Sequence, residues 1–206
     1  VNKSALLAFC LLLPLGLPAQ ANSLPPRQVL QSGSHCVAWR TTKTLAMVSQ
    51  QEVVGTSCQV SVTARAAGAG KFSALVSIPI SSFNSNEADR DKEVLKILKA
   101  SVQPNLTFTT EALSKAQWES LLAKGQGTVR GKLAVAGRSF SLTSLVKIRK
   151  SAGKIEVYGS IRTRFTALGL QAPEVGPGGA IAKVPDYLEL HFNLSSDKVQ
   201  NFGIVK

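Results

Sequence analysis

The side chains with the most chemistry to offer are Glu87, Asp89 and Asp91, in the stretch "SSFNSNEADRDKEVLKILKA" from Ser81 to Ala100. Clustered carboxylates can hold a hard cation or act as general acid and base. A calcium loop needs a glycine after its third acidic ligand, and here Lys92 follows Asp91. A helix start explains more. Asn84, Ser85 or Asn86 can cap it, the three acids load its first turns, and Lys96 and Lys99 load its end. That is the charge order a helix dipole prefers. Glu87 and Asp91 would share one face, with Asp89 pointing away.

Other catalytic constellations are missing. The two histidines, His35 and His191, stand far apart and in no H-x-x-x-H or H-E-x-x-H pattern. His191 falls on the polar side of an alternating segment and reads as a surface residue. There is no G-x-S-x-G, no Walker loop and no C-x-x-C. The "GPGG" of Gly176–Gly179 lacks the strand-then-helix context of a phosphate cradle. No catalytic residue, metal site or cofactor is expected.

The first residues, "VNKSALLAFCLLLPLGLPAQA", carry one positive charge at Lys3, an apolar run, and the small-x-small end Ala19-Gln20-Ala21. They read as a cleaved signal peptide over 1–21. The run is too short for a membrane span, and Pro14 interrupts it. A loose N-terminus over 22–30 and one domain over 31–206 follow. Export predicts a periplasmic location. It also leaves Cys36 and Cys58 as an even pair in an oxidising compartment, which reads as a disulfide, with two separate buried thiols as the alternative. The net charge is +12, or +11 once Lys3 leaves with the leader. The basic residues are scattered, with no like-charge block and no aromatic-interleaved stripe, so a solvated basic surface is the preferred reading. Export removes nucleic acid from the expected partners. Contact with an anionic membrane or polysaccharide surface, and pairing into a homodimer, stay open. So does a hydrolase with an unrecognised site.

The elements that must position any site are mostly strands. "TVRGKLAVAG" and "RSFSLTSLVKI" alternate apolar and polar residues around a turn at Gly137-Arg138. "KIEVYGSIRTRF" sets Ile155, Val157, Ile161 and Phe165 against Glu156, Tyr158, Arg162 and Arg164, and "YLELHFNL" sets Leu188, Leu190, Phe192 and Leu194 against Tyr187, Glu189, His191 and Asn193. Upstream, Cys58, Val60 and Val62 alternate, as do Phe72, Ala74, Val76 and Ile78, then Leu106 and Phe108. Each strand then has one dry and one wet face. About eight such strands make a closed barrel or a sandwich. Two short helices interrupt them. In the first, Val94, Leu95 and Leu98 form the apolar stripe. In the second, "LSKAQWESLLAKG", Ser114 and Gln117 fit a capping box and Gly125 a C-terminal cap.

The order of these motifs resembles the YceI-like family of lipocalin-like periplasmic proteins. "KFSALVSIPISSFNSNEADRDKEVLKILKASVQPNLTF" is similar to its signature segment, through Arg90-Asp91 and through Pro104, Leu106 and Phe108. "GKLAVAGRSFSLTSLVKI" is similar to its hairpin through Gly131, Leu133, Val135 and Gly137, and "VPDYLELHFNL" resembles its closing strand. "QSGSHCVAWR" departs from the family's first strand: Cys36 takes a serine position and Trp39 the aromatic one. The resemblance implies an all-β fold, an extended eight-stranded antiparallel lipocalin-like barrel with two short connecting helices. It implies a non-enzymatic carrier or store for an isoprenoid quinone, a prenyl phosphate or another long-chain amphiphile. The barrel interior would be lined by Trp39, Phe72, Val76 and Ile78, by Leu106 and Phe108, and by Val129, Leu133 and Val135. Phe140 and Leu142, then Val157, Ile161 and Phe165, then Leu190 and Phe192 complete the set. A phosphate head could meet Arg162 or Arg164. For every one of these residues, packing in a solid core is the alternative.

Overall fold

A computed structural model describes residues 27–205 apart from Met47 and Ala152; the expected leader lies outside the described residues. The strands are β1 (Cys36–Leu45), β2 (Ser49–Ser57), β3 (Ser61–Ala66), β4 (Lys71–Pro79), β5 (Asn105–Thr110), β6 (Leu113–Ser114) and β7 (Gln126–Val135). They continue as β8 (Arg138–Ser151), β9 (Lys154–Thr163), β10 (Glu174–Val175), β11 (Ala182–Lys183), β12 (Leu188–Ser195) and β13 (Val199–Gln200). Helix α1 (Ala88–Ile97) joins β4 to β5, and α2 (Lys115–Lys124) leads into β7.

All thirteen strands form one sheet. Its long members run β2-β1-β12-β9-β8-β7-β5-β4-β3, each antiparallel to the next. The expected eight strands undercount this for two reasons. Four strands (β6, β10, β11 and β13) are two residues long, too short to carry a readable alternation. And one long stretch is broken at residues 58–60 into β2, which pairs with β1, and β3, which pairs with β4. The two halves therefore occupy opposite ends of the strand order, joined by the chain rather than by a ladder. Cys36 and Cys58 form a disulfide with Cα atoms 4.1 Å apart, tying the first residue of β1 to this break.

Local chemistry accounts for the connections. The β7–β8 turn is Ala136-Gly137, with φ of 53° and 76°. Both are left-handed, as a two-residue hairpin turn of this hand requires. It falls one residue before the expected Gly137-Arg138, and Arg138 is instead in β8 with its guanidinium over the Phe140 ring. Helix α2 begins with the Ser114–Gln117 capping box and ends at Gly125, φ 66°. Helix α1 is capped by Glu87, whose carboxylate accepts from the backbone N–H groups of Asp89 (3.0 Å) and Arg90 (2.8 Å). The three expected caps have other work. Asn84 pairs its backbone with Thr56, Ser85 donates its N–H to Asp91, and Asn86 donates its N–H to the Asn84 side chain.

The outward face of β1 and β12 is not wet. Glu189 and Asn193 are buried, His191 has a side chain only 11% exposed, and Arg40 on the neighbouring strand is 1% exposed. Alternation identifies a face but not what covers it. Here residues 27–35 run across: Arg27 pairs with Glu52, and the Gln31 carbonyl accepts from Asn193 Nδ2 (2.9 Å). Beneath them Arg40 is held between Glu52 and Glu189, at 2.9 Å to each. Glu189 also accepts from Tyr187 and from His191 (3.0 Å), and forms an ion pair with Arg162 (3.3 Å). Burial pushes the Glu189 carboxyl up. The Tyr187 and His191 hydrogen bonds and the Arg40 charge outweigh it, and the group titrates below its usual range.

Candidate functional site: an apolar cavity within the sheet

The sheet curls around a cavity of about 720 Å³ that every long strand helps to line. Residues facing it sit in mid-sheet yet are only half-buried, among them Leu106, Phe108, Ile161, Leu190 and Phe192. Their remaining accessible surface faces the cavity.

Three inward glycines keep the rings of neighbouring strands against the wall. Gly55 is the cross-strand partner of Trp39, and a Cβ on it would lie 2.5 Å from the indole Nε1. Gly159 is the partner of Phe192, and its Cβ would lie 2.9 Å from that ring. A Cβ on Gly131 would lie 2.5 Å from Phe108. Each ring lies in space that a side chain would otherwise fill, a known way for sheets to use glycine beside aromatics. The Trp39 indole N–H has no hydrogen-bond partner among the described residues.

Fifteen of the sixteen expected lining residues line the cavity; Phe140 does not. It pairs with Leu133, but it packs against an apolar cluster of Leu133, Val135, Phe165, Leu168, Leu170 and Leu188 near the β7–β8 turn. Gly169 brings the chain down onto it, the site of a Cβ lying 3.2 Å from the Phe140 ring. From α1, Val94, Ile97 and Leu98 line the cavity, so the stripe uses Ile97 where Leu95 was expected. Arg162 and Arg164 face outward and do not line it. Sequence reasoning missed Val53, Val62, Leu168 and Val184. Leu168 and Val184 lie outside the regular strands, where no period marks them. Val53 begins an inward row continued by Gly55 and Ser57, which have no apolar signature.

The acidic cluster is dispersed. Glu87 caps α1, Asp89 pairs with Lys92 (2.8 Å), and Asp91 accepts from Ser85. The Lys92 hydrogen bond holds the Asp89 carboxyl below its ordinary value. Among the described residues, no three His, Cys, Asp or Glu side chains are placed to hold a metal ion.

The charged part of the lining is confined, while Ser73, Thr110, Ser144 and Ser196 line the cavity elsewhere. Apart from His191, its ionisable members are Lys43, Glu87, Asp89, Arg90, Glu93 and Glu174. All lie at the end where β1 finishes and α1 crosses. The far end is lined by Leu113, Trp118, Ile155 and Phe202.

Residues 30–196 match the family model described as YceI-like domain, and the chain belongs to that family. No curated protein matches. Among solved structures, the chain is similar to BcnA of Burkholderia cenocepacia, with 19% identity, TM-score 0.58, and coverage of 78% of this chain and 96% of that one. It is also similar to a polyisoprenoid binding domain from Saccharophagus degradans described as implicated in plant cell wall breakdown, with 12% identity, TM-score 0.52, and coverage of 77% and 92%. At such identities the likeness concerns the fold.

Proposed function

We propose that the chain is a non-enzymatic carrier or store that holds a long isoprenoid or other apolar chain inside a closed, lipocalin-like barrel. The observation that carries this reading is the cavity itself, about 720 Å³ and walled by aliphatic and aromatic side chains. That is within the size of ordinary ligand sites. Each methylene transferred from water would contribute about 0.8 kcal/mol, so affinity comes from chain length. The polyisoprenoid binding named for the Saccharophagus degradans relative is the chemistry such a bore would serve. The glycine-backed rings support a hollow interior over a solid one, because they turn bulk toward the wall. The matching of leader and family resemblance supports a periplasmic site of action.

Native mass spectrometry of protein purified from its own host tests the reading. A co-purifying lipid, or one taken up from added isoprenoid quinone or prenyl phosphate, is the expected result. A barrel that stays empty at saturating amounts of both is not a carrier of this kind.

A further inference from the structure

We propose that the end of the sheet carrying the cavity mouth docks on a lipid bilayer with anionic headgroups. An aliphatic lip would enter the headgroup layer there, so that the cavity opens onto the acyl chains. The inference rests on the carrier reading above and names the surface from which such a carrier loads. The mouth is at this end because Glu87, Asp89, Glu93, Glu174 and Val175 line the cavity and are themselves exposed.

Exposed large apolar side chains gather here. Among the described residues they are Val48 (89%), Val102 (73%), Ile181 (61%), Leu145 (59%) and Val175 (52%). Three of them form the lip. Val48 is in the β1–β2 turn, whose Ala46 N–H donates to the Ile181 carbonyl (3.1 Å). The Ile181 N–H donates in turn to the Val175 carbonyl (3.0 Å). Two neighbouring turns thus present Val48, Val175 and Ile181 to water on one side of the mouth. Val102 belongs to the same end, since the adjacent Gln103 accepts from the Gly137 N–H of the β7–β8 turn (2.8 Å). Leu145 alone lies away from it, opposite Thr128 toward the α2 end of β8.

The setting says what covers the lip. Its apolar surface continues into the lumen, because Val175 and Ala182 also line the cavity. A protein partner would need a patch of about 800 Å² per side, which three partly exposed aliphatic side chains cannot supply. A bilayer takes up such turns without demanding a complementary shape, by apolar burial together with attraction to anionic lipid. The charges have the matching sign. The two turns carry Lys43 and Lys183 against Glu174, residues 87–99 balance four acids with four cations, and the whole chain is at +12. Long-range attraction then brings the chain to an anionic surface. Lysine stems beside the lip can lie along the acyl boundary with their ammonium groups among the phosphates.

Vesicle flotation tests this on the wild type, the lip variant V48S/V175S/I181S and L145S. The wild type should float with vesicles of phosphatidylglycerol and phosphatidylcholine. It should bind phosphatidylcholine alone more weakly, and added salt should weaken the mixed vesicles. The lip variant should bind about tenfold less tightly or worse, and L145S should match the wild type. Transfer of an isoprenoid quinone between vesicles should slow in the lip variant, while its occupancy in solution by native mass spectrometry stays unchanged. A wild type that does not float overturns the docking and leaves the carrier reading standing, because flotation needs no cargo. So does flotation that the lip variant retains in full, or that L145S loses equally. A dimer in sedimentation that only the lip variant loses, with no flotation, overturns the bilayer and gives the lip to a second copy. Transfer that stays fast in the lip variant overturns the loading role. A cavity that takes up no quinone overturns the carrier reading by itself.

Discussion

At the scale of single residues, both histidines are partnered, His191 included, although its place on the polar side of a strand read as a surface position. His35 accepts from the Ser195 N–H at Nδ1 (3.1 Å). Its Nε2 then faces the Val60 carbonyl as a donor (3.1 Å). This arrangement suits the neutral ring only. Burial lowers its affinity for a proton below the ordinary 6.5, with Lys198 adding to the effect and the Val60 carbonyl and Asp197 opposing it. Burial lowers His191 in the same way, against Glu189 and Glu52 and with help from Arg40. The unfolded chain therefore binds protons where the fold does not, so stability is present above about 6.5 and falls as pH drops through that value. The depressed carboxylates act in a lower window. Asp197, held at about 2 by Lys154 and Ser195, keeps its contribution until pH falls through the ordinary carboxylate range toward that value. Urea unfolding should show a midpoint that drops from roughly pH 7.5 to pH 5.5, with His35→Gln flattening part of that slope. A midpoint constant across this interval would mean neither ring is held neutral. None of this was legible beforehand. Strand alternation put Glu189 and His191 on the side away from the apolar row, which is correct, but the segment at 27–35 that covers that side has no periodic signal.

At the scale of elements, legibility tracks the strength of local chemistry. Helix α2 announced itself through Ser114, Gln117 and Gly125, each the preferred residue at its position. The cap of α1 was misplaced because glutamate is a rarer cap than the asparagine and serine just before it. The β8 and β12 alternations were plain, whereas β2, "SQQEVVGTS", was hidden by Gly55 and Ser57 at inward positions. The break between β2 and β3 matters most for stability. There β2 leaves β1 and β3 joins β4, and the Cys36–Cys58 bridge fastens the chain to β1 at the point where β2 ends. Replacing both cysteines with serine should lower the unfolding free energy by about 3 kcal/mol, the loop-closure value for a bridge of this span. Denaturant titration of the double variant reads it directly. An unchanged midpoint would show that the break is held by packing alone.

At the scale of the whole molecule, the two tryptophans report on the cavity from separate places, Trp39 on β1 and Trp118 on α2. A long-chain quinone should quench the intrinsic fluorescence of at least one of W39F and W118F, because its ring, the quenching group, is carried into the cavity that both tryptophans line. A tail-less quinone at the same concentration should quench neither appreciably, because nearly all the affinity, about 0.8 kcal/mol per methylene, is in the chain. Equal quenching by both quinones would point to surface collisions and away from occupancy. The inward rows of the wall were legible strand by strand, with a solid core left open as the alternative. The cavity's ends were not, since Leu168, Leu170 and Val184 come from loops whose placement depends on tertiary packing.

The rings resting on Gly55, Gly131 and Gly159 also say how the selectivity of such a bore can drift. One methyl on any of these glycines displaces an indole or phenyl ring from the wall into the lumen, a large change in free cross-section for the smallest change in a side chain. Chain preference is thus only a single substitution away from a slimmer or shorter guest at three separate depths. A lineage carrying this sheet could change its cargo without redesigning any strand.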